Sequence, residues 1–482
     1  MSLREMHWDG HRLRLQTQAG ARVDVDIDGT FFASLEGDAQ GVAAIVFPFS
    51  PNGTPEWTLR LRTSATSSQA NLRLGEAGLR AAVPISELKP LAIGALLEPG
   101  VALREAAREV VIVVPVYNAA DAVRVCLDSV LAHSAGAYRL VVIDDASPDA
   151  AIAPLLASYA HHAHVSLLRN EVNRGFTATA NRGIEAAGAA DVILLNADTE
   201  VAAGWLVGLR RAAYASADTG SATAVSDNAG AFSVPELEQE NPFPAGWSFT
   251  DAARVVRQFA GTAYPHLPTG NGFCMYLKRA TLNEVGHLDE IAFAQGYGEE
   301  NDWSQRAQKA GWRHVIAGDV LVRHARSASF GHERRLTLGA AGMAVLRERW
   351  PNYEAEVGAT LFSFERRVLD WRVRRAYAQA EPLPRQLWLQ DADTSANDVQ
   401  HWRLRRGETL LHLECFDATL ATWQGVERAV DAEGAFFTQA HRIEQTLAGW
   451  LQKHAIERVR GDAVAWNARL PALLAALAIA QG

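Results

Sequence analysis

The stretch VVIVVPV, Val110 to Val116, contains no polar side chain. A strand with one wet face alternates apolar and polar residues. An unbroken run rich in β-branched residues instead predicts a strand buried on both faces, as in parallel sheets covered by helices. The next segment, NAADAVRVCLDSVLAHS, places Val123, Cys126, Leu127, Val130 and Leu131 on one face of a helix. YRLVVIDDAS then reads as a second buried strand, HVSLLRN as a third strand, GFTATANRGIEAAG as a helix and DVILLNA as a fourth strand. Asn118 is expected to cap the first helix, and Ser147 with Pro148 to open the second. This β-α-β-α rhythm predicts an α/β fold built on a doubly wound sheet.

Both flanks read differently. HRLRLQ, RVDVDIDG and EWTLRLRT alternate with period two and are separated by glycines, which predicts a small antiparallel sandwich. EVGATLFSFERRVLDWRVRRAYAQA looks helical, and EPLPRQ marks a boundary. Beyond it, Ile443, Leu447, Trp450 and Leu451 share one helical face, and WNARLPALLAALAIA reads as a last helix. The expected division is 1–104, 105–350, 351–384 and 385–482, the last a small α/β unit.

A formal net charge of -9 lacks the basic footprint of a nucleic-acid binder. Cys126, Cys274 and Cys415 lie far apart, with neither a disulfide framework nor a cysteine zinc spacing. The N-terminus reads as no signal peptide, and the apolar runs are too short to span a bilayer. A cytoplasmic location is the expectation. Peripheral attachment to the inner membrane through the arginine-rich ERRVLDWRVRRAY is an open second expectation.

Ligands of doubly wound sheets bind beyond the carboxyl ends of the strands. The residues falling there are PVYN, DDAS, RNEVNRGF and NADTE. Asp198 and Glu200 would repel one another unless a cation lies between them. Hard Mg²⁺ or Mn²⁺, bound by one or two carboxylates and by substrate phosphates, is the economical partner. Side chains at i and i+2 of an extended chain share a face, so both could reach one ion. Asp145 could accept the N–H of a uracil or thymine ring, with Tyr117 packed against that ring. Asn173, Arg174 and Gly175 precede a helix and could face a phosphate. Further on, GYGEENDW gathers Glu299, Glu300 and Asp302 at a helix start, more acid than capping requires. One of them could act as a general base. His324, ending DVLVRH, is a third candidate metal ligand.

Taken in order, VVIVVPVYN, LVVIDDAS, NRGFTATANRGI, ILLNADTEV, PTGNGFCMYLKR, GHLDE, YGEENDWSQRA and VLVRHARSAS resemble glycosyltransferase family 2, the inverting nucleotide-sugar transferases of the A-type fold. The likeness covers roughly residues 108 to 335 and leans toward rhamnosyltransferase-like enzymes of bacterial surface polysaccharides. It implies a GT-A-like mixed sheet at the centre of the chain. It further implies that Pro115, Tyr117 and Asp145 hold the nucleobase, with Asn173, Arg174 and Asp198 near the nucleotide. Asp198, Glu200 and His324 would hold Mg²⁺ or Mn²⁺. Gly270, Asn271 and Gly272 would lie between donor and acceptor. Glu300 matches the base position, where Asp is more usual, and Asp302 is its rival. The implied partners are a nucleotide-sugar donor, UDP- or dTDP-linked, and a glycan or lipid-linked glycan acceptor, with no nucleic acid. The last hundred residues faintly resemble a truncated glycosyltransferase Rossmann half. Two alternatives stay open. One is a carbohydrate-binding or scaffolding protein without activity. The other is a sugar nucleotidyltransferase, disfavoured because PVYNAADAV offers no glycine-rich basic loop for a triphosphate.

Overall fold

The computed structural model describes residues 5–8, 12–27, 29–46, 57–63, 66–74, 99–261, 264–325, 332–389, 392–407, 410–430 and 440–481. The alternating N-terminal segments form β1 (Glu5–Trp8), β2 (Arg12–Gln16), β3 (Arg22–Ile27), β4 (Thr30–Glu36), β5 (Val42–Val46), β6 (Trp57–Thr63) and β7 (Thr66–Leu74). They pair antiparallel into two sheets, ordered β1-β2-β5 and β4-β3-β6-β7. Leu15 and Ile45 from one sheet share a core with Val23, Val25 and Leu61 from the other. Period-two patterning thus gives each sheet one apolar face, and the two faces bury each other.

Helix α1 (Pro99–Ala107) leads into β8 (Val110–Val116), so the expected limit at 104/105 falls inside a helix. The chain continues through α2 (Ala120–His133), β9 (Tyr138–Asp144), α3 (Ile152–Ser158), β10 (Val165–Arg169), α4 (Phe176–Ala186), β11 (Asp191–Leu195) and β12 (Thr199–Glu200). Then come α5 (Trp205–Tyr214), β13 (Thr219–Ser226), α6 (Phe249–Phe259), β14 (Cys274–Leu277), α7 (Arg279–Val285), α8 (Glu299–Lys309) and β15 (Arg313–His324). The eight strands form one sheet ordered β10-β9-β8-β11-β14-β13-β15-β12. β10, β9, β8 and β11 run parallel, while β14 pairs antiparallel with β11 and β13. The central fold is therefore the mixed, GT-A-like α/β sheet expected.

β8, β9 and β11 are apolar on both faces because each face meets helices, whereas the edge strand β10 is only partly buried. Ile112, Val114, Leu140, Val142 and Ile193 join one core with α2 and α5. Val111, Val113, Val141, Val192 and Leu194 join another with Ile184 of α4 and Trp303 of α8. Local starts differ from expectation. Asn118 and Ala119 adopt left-handed φ of 61° and 59° ahead of α2, and Asn118 Oδ1 accepts from Asp149 N at 3.1 Å. Ser147 Oγ accepts from Asn118 N at 2.9 Å, and α3 begins only at Ile152. Both polar residues tie two loops together at the rim and cap no helix.

Helices α9 (His332–Arg349), α10 (Tyr353–Leu361) and α11 (Phe364–Gln379) follow. α11 links the N-terminal sheets to the centre. Trp371 enters the sandwich core, and Val373 the central one. The arginines expected to meet a membrane turn inward. Arg366 is buried, ion-pairs with Asp370 at 3.0 Å and donates to the carbonyls of Ala231 and Ser233 at 2.6 and 2.5 Å. Arg372 donates to Ala260 O, and Arg374 is held by Glu236 and Pro235 O. Amphipathic periodicity shows that a helix has a polar face, not that water lies against it. No helix among the described residues is long and apolar enough to cross a membrane.

The C-terminal unit consists of β16 (Arg385–Trp388), β17 (Gln400–Arg406), β18 (Leu410–Asp417), β19 (Thr422–Val430), α12 (Ala440–Lys453), β20 (Arg458–Arg460), α13 (Ala463–Trp466), α14 (Leu470–Ala476) and β21 (Ala480–Gln481). Its sheet order is β19-β18-β17-β16-β20-β21, with β17, β16, β20 and β21 parallel. Leu447, Leu451, Leu473 and Leu474 pack on this sheet together with Ala102 of α1. The single last helix expected is two. Asn467 at the break is extended, with φ -163° and ψ 128°.

Candidate active site

The strand order reverses at β8. The chain steps outward through β9 and β10, then returns to β11 on the other side of β8. Loops leaving β8 and β11 consequently diverge and leave a crevice at the carboxyl edge. A cavity of about 300 Å³ opens there. Pro115 and Tyr117 come from the end of β8, Asp145 from the end of β9, and Asn196 and Asp198 from the end of β11. Asn173, Asn271, Gly272, Glu299, Glu300 and His324 also line it. Residues more than a hundred positions apart in the chain therefore line one cavity.

Asp145 is 4% exposed and organises the loop before α4. Its Oδ1 accepts from Asn170 Nδ2 at 2.7 Å and Arg174 N at 2.8 Å, while Oδ2 accepts from Gly175 N at 2.9 Å. Gly175 has φ 82°, and a Cβ there would stand 2.2 Å from Ala294 O, so the close approach of these loops needs glycine. Asn173 lines the cavity. The Arg174 side chain does not, and points to Glu290 at 3.7 Å.

Asp198 and His324 are brought together by the short β12–β15 pair, whose register sets Thr199 against His324. His324 stacks on Phe273 with centroids 5.3 Å apart, and its Nδ1 lies 3.1 Å from Asn228 O. A carbonyl can only accept, so Nδ1 carries a proton, and in the neutral ring Nε2 then presents its lone pair. That Nε2 is 3.4 Å from Asp198 Oδ1. Two acceptors at this separation repel unless a proton or a metal ion lies between them.

Glu200 does not join them. It lies outside the cavity lining and pairs with Arg323 at 3.3 Å. Thr199 N donates to Asn196 O at 3.3 Å, closing a turn over Ala197 and Asp198. The rule that i and i+2 share a face holds in extended chain and fails across a turn. Among the described residues, no three His, Cys, Asp or Glu side chains group closely enough to hold a metal by themselves.

The acid cluster divides in the same way. Asp302 is 1% exposed, takes Arg306 Nε at 2.9 Å, Arg349 Nη1 at 3.1 Å and Trp350 Nε1 at 3.0 Å, and lies outside the cavity lining. It fastens α8 to the end of α9: residue 302 lies two helical steps of about 100° each beyond Glu300 and so points to the opposite side of the helix from it. Glu299 and Glu300 both face the cavity. Burial first, and then the neighbouring Glu300 charge, hold the Glu299 carboxyl well above the usual carboxylate range. Burial also raises Glu300, against backbone N–H groups of Gly298 and Gly272 and the Glu299 carboxyl, which stabilise its charged form. Glu300 Oε2 is buried and has no hydrogen-bond partner among the described residues.

Gly270 lies just outside the lining, its N–H donating to Ser304 Oγ at 3.0 Å, while Asn271 and Gly272 line it. Phe176, Gln295 and Tyr297 were not singled out in the sequence, yet they form part of the wall. Their neighbours GFT and GYGEE carried the signal: glycines at a helix start mark places where the chain doubles back toward a ligand. The small and basic residues 326–331 after His324 lie outside the described residues.

Residues 111–275 match the model of the family described as glycosyl transferase family 2. A 90-residue stretch is 33% identical to the uncharacterized glycosyltransferase YibD of Escherichia coli (strain K12), covering 19% of this chain and 26% of that protein. The chain thus spans about a quarter of that relative's length. Two solved structures are similar in fold. One is GalNAc-T7 with UDP, GalNAc and Mn²⁺ (TM-score 0.36, 18% identity, 45% of this chain and 44% of that one). The other is the mannosyltransferase PcManGT from Pyrobaculum calidifontis with GDP-Man and Mn²⁺ (TM-score 0.39, 20% identity, 55% and 73%).

Proposed function

We propose, from the match of residues 111–275 to glycosyl transferase family 2, that the chain transfers a sugar, with inversion, from a UDP- or dTDP-sugar to a hydroxyl of a bacterial surface glycan or its lipid-linked precursor. The observation that carries this reading is the buried, unpartnered Oε2 of Glu300 in the same cavity as Asp145 and the Asp198–His324 pair. A buried acceptor without a donor is costly unless a ligand supplies one.

In this reading Asp145 accepts the pyrimidine N–H, and Tyr117 and Pro115 frame the ring. Asp198 and His324 fit a divalent cation, Mg²⁺ or Mn²⁺. They offer one oxygen and one nitrogen donor that otherwise oppose each other at 3.4 Å, and Asn228 O fixes the imidazole tautomer. These two residues would hold the ion and would leave its other positions to water and to oxygens of the donor diphosphate, as is usual for Mg²⁺ sites. When bound, the ion neutralises charge on the departing diphosphate. Glu300 takes the proton of the acceptor hydroxyl. The acceptor oxygen forms its bond to the anomeric carbon as the bond to the diphosphate oxygen breaks on the opposite face, and that electron pair leaves with the nucleoside diphosphate. Glu299 stays protonated and donates to Glu300, which keeps the base charged in a buried place.

A screen of UDP-, dTDP- and GDP-sugars with Mn²⁺ or Mg²⁺, reading released nucleoside diphosphate, tests the proposal. Metal-stimulated release with a pyrimidine donor is expected. Tight nucleotide binding without release from any donor would replace it with a binding or scaffolding role.

A further inference from the structure

Gly296, Tyr297 and Gly298 are three consecutive residues with positive φ, at 88°, 69° and 141°. Glycine adopts such angles freely, whereas a tyrosine there is strained. Packing imposes the conformation. A Cβ on Gly342 would stand 1.8 Å from Tyr297 O, so α9 lies directly against that carbonyl. A Cβ on Gly298 would stand 2.5 Å from the Phe293 ring. A glycine at position 297 would satisfy the backbone with less strain, yet the sequence places an aromatic ring there, in the cavity wall. Side chains kept in strained backbone at a cavity point to a role in ligand handling.

Position narrows that role. Tyr297 directly precedes Gly298, the residue that caps α8, and the first turn of α8 carries Glu299 and Glu300. Whatever yields its proton to Glu300 must come within about 3 Å of that carboxylate, and hence into the cavity that Tyr297 also lines. The nucleobase end, at Pro115 and Asp145, already has its own ring in Tyr117. A sugar presents a C–H face and a rim of hydroxyls. Tyrosine offers a flat apolar face that loses little rotamer entropy, and a hydroxyl at its edge.

We infer that Tyr297 is the acceptor platform of this site, holding the apolar face of a terminal sugar ring while that sugar's hydroxyl reaches Glu300. The inference rests on the transfer activity proposed above and goes beyond it in assigning a specificity-determining residue.

Its test separates the two acceptors of the same donor, water and sugar. Wild type, Tyr297→Gly, Tyr297→Phe and Tyr297→Trp are assayed with UDP- and dTDP-sugars, Mn²⁺ and a panel of p-nitrophenyl hexosides. Donor hydrolysis is read in parallel without glycoside. In Tyr297→Gly the glycoside KM rises about tenfold or more, the loss expected for one aromatic contact. The glycoside KM rises at least about threefold more than the donor KM, which separates a lost acceptor contact from a general disturbance of the wall, and the melting temperature stays near that of wild type because relieved backbone strain offsets the added freedom of the unfolded chain. Tyr297→Phe and Tyr297→Trp keep the ring and recover the glycoside KM to within about threefold. An unchanged glycoside KM in Tyr297→Gly, or a donor KM that rises equally, overturns the inference while leaving the transfer activity standing. A wild-type chain that neither transfers nor hydrolyses any donor overturns the activity and the inference together.

Discussion

Two sheets in this chain end their parallel strands differently. At the carboxyl edge of the central sheet, β8 and β11 open onto the cavity, and Asp198, Asn196 and Tyr117 face it. In the C-terminal sheet, the same edge of β16 is closed. The Leu389 carbonyl just past β16 accepts from the Trp466 indole at 2.9 Å, and Leu389 N donates to Arg460 O. Trp388 Nε1 in turn donates to His401 Nδ1 at 3.3 Å. Parallel strands are thus insufficient for a site. A site needs a reversal of strand order that splays the loops apart, and polar groups left without intramolecular partners. β16 lies between β17 and β20, yet a tryptophan occupies the space beyond it.

The sharpest way to break the comparison is to disable the open edge. Glu300→Gln should lower kcat by about 10²–10⁴, the usual worth of a general base, with the donor Kd unchanged by calorimetry. Near wild-type turnover would show that the orphaned oxygen is no base. Asp198→Ala should lose on the order of a hundredfold in kcat/KM together with most of the metal stimulation, read as a titration with Mn²⁺. At the closed edge, Trp466→Ala should cost about 2–3 kcal/mol of stability in urea and leave kcat within twofold. An equal fall in activity would mean that the closed sheet supports the open one.

Glu299→Gln probes the buried pair. Glu299 is raised above its unfolded value, so its protonated form favours the folded state below about pH 4.5. That contribution is lost as pH rises toward the raised value. The Gln variant should therefore show a flatter fall of melting temperature between pH 5 and pH 8 than wild type. A parallel slope would place the shared proton elsewhere. The smallest effect is expected from Glu200→Ala. An exposed ion pair with Arg323 is worth about 0–1 kcal/mol, so kcat should change less than about threefold. A loss matching Asp198→Ala would return Glu200 to the metal.

The contrast between Asp198 and Glu200 also shows where sequence reasoning stops. The pattern D-x-E is the same whether the chain is extended or turned, and the turn closed by the Thr199 N–H and hydroxyl on Asn196 O separates the two carboxylates. Asp302 was indistinguishable from Glu300 in sequence because both stand in the first turn of α8. Only the arrival of Arg349 and Trp350 from α9 assigns Asp302 to packing. The arginines of α11 read as a surface stripe until the N-terminal sheets and the 231–236 loop are seen to cover them.

By itself the sequence determined the first four strands of the central sheet, the buried faces of its middle and the strand ends at which polar residues gather, while β12, β13 and β14 carried no pattern that it read. Apolar periodicity is a local property, so it survives without knowledge of neighbours. Which of those polar residues share a cavity was decided only in three dimensions, by the strand order, one tight turn and the helices that pack over α8. Contacts between segments a hundred residues apart depend on how loops leave the sheet, and no local pattern records that.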